Sequence, residues 1–266
     1  MLAGGIIGGV LGPESSKITK DLLSITFMGS YAALILFGSI ALVVIRLPAH
    51  SDAPQPRSDL GRGRPLRAIV AQPVFVVACL AAVTSYAVMN LLMGATPLAM
   101  QFCGLPYPSA ALVIESHIIG MFAPALFAGW LVQRFGVLRI MTLGVLTYLA
   151  CLASALSGQT VLNFWLSGTL LGVGWCFLYV GGTTLLTEAY RPEEKARAQG
   201  INDLFVFVVM GTTSAASGAI LYRLGWNALN LFAFPLLIIT GAAILWLALA
   251  RRAAYRSAAA IPSILE

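Results

Sequence analysis

Val137-Leu-Arg-Ile-Met-Thr-Leu-Gly-Val-Leu-Thr-Tyr-Leu-Ala-Cys-Leu-Ala-Ser-Ala-Leu156 is a run of twenty residues with one charge, Arg139, near its start. Coiled as an α-helix at 1.5 Å per residue, it is about 30 Å long, the thickness of the hydrocarbon core of a bilayer. The same kind of run recurs on both sides of it. Eight apolar stretches fill most of the 266 residues, at about 1–16, 22–46, 74–100, 110–131, 137–156, 161–190, 203–222 and 228–250. The chain is 59% hydrophobic and only 10% charged, with a mean hydropathy of +0.89. A soluble domain of this length has too little interior to hide that much apolar surface. Helices are expected throughout, because lipid offers no partners for unpaired backbone groups. The period-two alternation of a membrane barrel strand is absent. The fold class expected is therefore all-α, a polytopic membrane protein.

The polar residues give this bundle an orientation. Thirteen of the sixteen basic residues fall in alternate loops and the C-terminal tail: Arg46, Arg57, Arg62, Arg64, Arg67, Arg134, Arg139, Arg191, Lys195, Arg197, Arg251, Arg252 and Arg256. Lys17, Lys20 and Arg223 stand on the other side. This positive-inside bias puts the long break at 47–67 and the C-terminus in the cytoplasm. The net charge of +6 is then a product of membrane insertion and implies no nucleic-acid partner. Cys79, Cys103, Cys151 and Cys176 lie on different spans without ligand spacing and read as small buried hydrophobes. With His50 and His117 the only histidines, no metal centre or catalytic triad can be assembled. A phosphate-binding Gly-Lys-Ser/Thr loop is also absent. The expectation is a protein that is not an enzyme, with no catalytic residues, metal or cofactor. It works on a small-molecule solute in the bilayer.

Within the spans, ionisable and polar side chains mark a candidate solute and proton path. Glu115 and His117 lie in the fourth stretch, where an ionisable group is costly unless it is paired or faces a cavity. A carboxylate there can take and release a proton, and an imidazole titrates in the useful range. Residues two apart point about 200° from each other, so both cannot face one cavity squarely. Tyr86, Asn90 and Thr96 line the third stretch, with Gln101 at its end. Pro97 removes an amide hydrogen there, and a bend is expected. Tyr86, Trp175 and Tyr179 offer rings to a solute, or to the core. Asp203 is expected at the start of the seventh span as a first-turn acid, and Glu188 beside the basic loop as an ion-pair partner. Gly4, Gly8 and Gly12, with Gly5 and Gly9 beside them, and Gly168 and Gly172, form small faces that let helices approach closely.

Order and spacing then carry a resemblance. Gly129-Trp-Leu-Val-Gln-Arg134-Phe-Gly136-Val-Leu-Arg139 resembles the cytoplasmic loop signature of the major facilitator superfamily, Gly-x-Leu-x-Asp-Arg-x-Gly-x-x-Arg, in its copy between helices 8 and 9; Gln133 stands where the family has Asp. Gly8-Gly-Val-Leu-Gly12-Pro13 resembles the Gly-x-x-x-Gly-Pro part of the helix 5 signature of that superfamily's proton antiporters, with Ser16-Lys17 replacing its trailing glycines. Arg191 to Gly200 is similar to the usual helix 10–11 connection, where Arg197 sits between Glu188 and Asp203. The resemblance implies a bundle lacking the first four helices of twelve. Residues 1–46 would be helices 5–6 at the end of the N-terminal half and 47–67 a cytoplasmic basic linker. Residues 68–250 would form the six-helix C-terminal half, and 251–266 a cytoplasmic tail. It further implies a secondary transporter of the bacterial inner membrane, moving a small organic solute with protons by alternating access, with Glu115 as coupling acid and the Gly129–Arg139 loop holding conformational states. Beside it stand a half-transporter that needs a partner, its own N-terminal half for instance, and a remnant that transports nothing.

Overall fold

The computed structural model describes residues 2–46 and 63–259. The sequence linker is outside them apart from its last five residues, as is the end of the tail. Helices account for nearly all the rest: α1 (Leu2–Thr19), α2 (Met28–Arg46), α3 (Leu66–Val70), α4 (Pro73–Phe102), α5 (Tyr107–Phe122), α6 (Ala125–Phe135), α7 (Val137–Leu156), α8 (Val161–Leu186) and α9 (Lys195–Ala259). No strand occurs among the described residues. Four helices are long and apolar enough to cross a membrane, or five if α5 and α6 make one bent span. The count falls below eight because two expected spans are joined end to end in α9, α2 is a shorter apolar helix, and α1 is not among the counted spans.

The breaks follow local chemistry. The α5–α6 pair, expected as one straight span, is bent by 40° at Ala123–Pro124. Proline has no N–H and its ring crowds the carbonyl one turn back. α4, by contrast, runs through Pro97 as a continuous helix to Phe102. Gly225 alone separates the limbs of α9, at φ +81° and ψ 175°, a conformation open to glycine and strained for other residues. The first limb starts at Lys195, eight residues before Asp203. Asp203 is therefore inside the helix rather than in its first turn, and the expected dipole role does not apply. The second limb continues to Ala259, past the expected end at 250.

α4 and α8 form the centre, with α9 against α4, α7 against α8, and α5 on the other side of α8. α1 packs on α5, and α2 leans on α1. Small residues set these approaches. A Cβ on Gly172 would collide with the His117 carbonyl and the Met121 amide, and one on Gly120 with the Thr169 carbonyl. The α5 and α8 backbones therefore touch. Gly144 does the same between α7 and α8, against the Leu178 backbone, and Gly181 makes room for the Met141 side chain. On α1 the packing row is Gly5 and Gly9, which meet Phe122 and Ile118 of α5, whereas Gly4, Gly8 and Gly12 face open space. The glycine face that packs is thus one residue away from the row Gly4, Gly8 and Gly12. Buried polar groups are tied inside this core: Tyr148 Oη donates to the Ser85 carbonyl at 2.7 Å, Thr84 and Thr240 hydroxyls bond at 2.8 Å, and Trp226 Nε1 donates to the Ala155 carbonyl at 3.0 Å. Cys79, Cys151 and Cys176 are buried free thiols, and Cys103 is exposed.

Gly172→Leu forces the α5 and α8 backbones apart and is expected to cost about 1–3 kcal/mol or more of stability, whereas Gly8→Leu, pointing into open space, is expected to leave the melting midpoint of the purified protein unchanged within a degree or two. Equal midpoints for the two variants would show that the α5–α8 contact does not hold the bundle.

Candidate functional site

The seam between α1 and α5 carries the charges. Lys17 Nζ donates to Glu14 Oε1 at 2.6 Å, one turn back on α1, and to Glu115 Oε1 at 3.0 Å, on α5. Lys17 and Glu115 side chains are 22% and 12% exposed, and Glu14 is 46% exposed. Glu115 lies eight residues into α5, about 12 Å along its axis. Beyond the ion pair, Ser16 Oγ and Tyr107 Oη are 2.6 Å apart, Ser30 bonds both Ser16 and Thr19, and Lys20 sits over the Tyr107 ring at 5.3 Å. The two segments flanking the linker are therefore joined by polar contacts on one face of α1. Sequence reasoning singled out Glu115 but treated Lys17 as a loop cation and passed over Glu14. The three-residue spacing of Glu14 and Lys17, which makes them neighbours on a helix, was the available signal.

The other path candidates separate into two groups. His117 is 3% exposed, with Nδ1 3.0 Å from the Gly168 carbonyl, so it pins α5 to α8 and points away from Glu115. Thr96 is buried and donates to the Leu92 carbonyl at 2.8 Å, on the interior face of α4. Tyr86 and Asn90 lie on the half-open face of the same helix. Asn90 Nδ2 donates to the Tyr86 carbonyl at 3.0 Å, leaving its Oδ1 uncommitted. Tyr86 meets Trp175 and Tyr179 of α8 edge to face, with centroids 5.5 and 5.0 Å away, and Trp175 and Tyr179 stack at 4.9 Å. Toward the end of α4 the open face reaches a cavity of about 500 Å³ lined by Lys20, Phe27, Gly94, Pro97, Gln101 and Tyr107, among others.

The linker side is held by a second charge centre that the sequence did not reveal. Glu194 lies in the short 3-10 turn Pro192–Glu194 and is fully buried at its side chain. Arg64 Nη2 donates to Glu194 Oε2 at 2.7 Å and to the Ala189 carbonyl at 3.0 Å, and Arg64 Nε to Glu194 Oε1 at 2.9 Å. The backbone amides of Arg64 and Arg191 donate to the same carboxylate, and Gln72 Nε2 donates to the Ala189 carbonyl. The Arg64 guanidinium, then the Arg191 amide, hold the Glu194 carboxyl down at about 2, against burial that pushes it up. Partners 130 residues apart leave no local pattern to read. Glu188 finds its expected partner in Arg251, at 2.6 Å. Asp203 is exposed and accepts from Asn202 Nδ2 at 3.2 Å, and Arg197 is exposed. In the signature loop Gly136 adopts φ +87° between α6 and α7. Gly129 meets open space, Arg139 is exposed, and Arg134 lies over Trp130 and Phe135 at 5.6 and 5.8 Å. Among the described residues Arg134 pairs with no carboxylate. No group of three His, Cys, Asp or Glu side chains suited to a metal occurs there either.

Residues 78–263 match the family described as Major Facilitator Superfamily, and over 241 residues, 90% of the chain, the protein is 34% identical to the riboflavin transporter RfnT of Brucella anthropi. The chain belongs to the major facilitator superfamily. Two uncharacterized MFS-type transporters of Bacillus subtilis, YdeG and YddS, are 25% and 26% identical to it over 92% and 90% of its length. The chain covers 61% of RfnT and 59% of each Bacillus protein. Superfamily membership makes it an integral membrane protein of a transporter family, not an enzyme, as the residues implied.

Because the Glu194 carboxyl sits below its ordinary value of 4.5, its contribution is present above that value and is lost only as pH falls toward about 2. The Arg64 amide is therefore expected to keep its hydrogen-exchange protection factor at pH 4, and to lose it about tenfold in Glu194→Gln at any pH. A protection factor that already collapses between pH 5 and 4 in the unsubstituted protein would contradict the assignment.

Proposed function

We propose that this chain is part of a proton-coupled secondary transporter that moves riboflavin or a related small organic solute by alternating access. The observation that carries the coupling is the Glu14–Lys17–Glu115 cluster. Two carboxylates share one ammonium, so the cluster keeps one negative charge at the seam of α1 and α5. Uncompensated charge in an apolar setting is costly, and one bound proton removes it. The seam is also where the two segments meet. On the superfamily mapping residues 1–46 belong to the N-terminal half, 47–67 to the linker and 68–250 to the C-terminal half. Separation of the seam on one face of the membrane would strip Lys17 from Glu115 and open the carboxylate to a proton. Rejoining would expel the proton. Proton uptake is thereby tied to which face is open.

The solute assignment rests on the relative that is named for riboflavin transport and is 34% identical. The bias of basic residues to one side supports a cytoplasmic linker and C-terminus, in a bacterial inner membrane. Gly129, Arg134, Gly136 and Arg139 keep a conformational role in this reading, with Arg134 seated on aromatic rings instead of a carboxylate.

In cells expressing the complete gene, Glu115→Gln is expected to lower uptake of radiolabelled riboflavin driven by an imposed pH gradient at least tenfold while leaving solute exchange at equal pH. Gradient-driven uptake at the unsubstituted rate would remove Glu115 from the coupling step.

A further inference from the structure

We propose that Tyr86, Trp175 and Tyr179 form the seat for the flat ring of the transported solute, selecting planar heteroaromatic molecules that carry a hydrogen-bond acceptor on the ring edge. The proposal rests on the transporter reading above and assigns residues to its solute site. Three observations support it. Tyr86 and Trp175 lie near the midpoints of α4 and α8, about 16 Å of helix or more from either end, with Tyr179 one turn further along α8; transporters hold their solutes at mid-membrane depth. Trp175 is 93% buried, being 7% exposed, yet its Nε1 has no hydrogen-bond partner among the described residues. A buried indole N–H normally finds an acceptor, so this donor is uncommitted and would be satisfied by a ring carbonyl or ring nitrogen. Finally, Tyr86 and Tyr179 are only half-buried, so each ring retains surface on which another ring can stack.

Asn90 completes the recognition. It sits one turn beyond Tyr86 on the half-open face, and its Nδ2 is committed to the Tyr86 carbonyl. The remaining Oδ1 accepts from a ring N–H. A donor on Trp175 and an acceptor on Asn90 together read an edge that alternates C=O and N–H, as the pyrimidine edge of a flavin does. Gly94, four residues further on, continues the same face and opens into the 500 Å³ cavity. A polar substituent on the ring would extend toward that cavity.

The test uses the complete gene product in lipid nanodiscs, with lumichrome, the flavin ring without its ribityl chain, as the probe. Lumichrome fluorescence is expected to be quenched saturably. Trp175→Phe keeps the ring but removes the donor, and is expected to weaken binding about tenfold, the value of one hydrogen bond. Tyr179→Leu is expected to weaken it tenfold or more through lost stacking, and Tyr179→Phe to restore it. Melting midpoints near that of the unsubstituted protein confirm that the variants fold. Unchanged lumichrome affinity in both Trp175→Phe and Tyr179→Leu would overturn the seat, as would absence of saturable quenching in the unsubstituted protein. Riboflavin uptake, measured separately in cells, decides the transport reading. Intact uptake with unchanged lumichrome binding sinks the seat alone, and lumichrome binding that responds to the ring variants supports the seat whatever uptake shows.

Discussion

Hydrocarbon offers a polypeptide no hydrogen-bond partners, and every level of this structure answers to that fact. Backbone groups are satisfied within helices. Helices then gain little from burying apolar side chains against one another, since lipid is as apolar as leucine, and close van der Waals approach has to supply the cohesion. Here it is supplied where glycines of α5, α7 and α8 bring backbones into contact at Gly120, Gly144 and Gly172. His117 becomes intelligible in that setting. It is a buried polar side chain bonded to a carbonyl exposed by a glycine, Gly168, and it adds a directional tie to a contact that is otherwise only dispersion.

The same medium makes charge conspicuous. Two carboxylate centres, the α1–α5 seam and the turn before α9, are built on different logic. Glu194 is saturated by Arg64 and two backbone amides, so its charge is fixed and its role is mechanical: it fastens the end of the linker to the turn between α8 and α9. The seam leaves two acids to one base. Burial and pairing alone would not distinguish these sites. The ratio of acids to donors does.

The membrane class, the helical content and the order of spans were legible in the sequence because hydropathy is a property of long windows and survives local error. The seam acid Glu115, the Glu188 ion pair and the small-residue contact of α8 were legible for a related reason, since each needs only a residue's place along one helix. Features that depend on rotation about a helix axis were less accessible. The α1 row that packs is Gly5 and Gly9 rather than Gly8 and Gly12, and a mean-hydropathy argument has no phase with which to choose. Thr96 was grouped with Asn90 although six residues set them on different faces of α4. Features joining distant segments, Lys17 with Glu115 or Arg64 with Glu194, were invisible because nothing in either local sequence names the other.

Gly225 has a bearing on motion. The first limb of α9 rises along α4 to Ser217 beside Gly94, and the second returns past Thr240 beside Thr84 to Arg251 beside Glu188. Two long arms thus meet at a joint of one residue, with no slack between them. A loop of several residues would absorb a displacement of one arm and leave the other at rest. This elbow does not, so whatever tilts the first arm levers the second through the far side of the bundle, and the ion pair at the second arm's other end registers the movement.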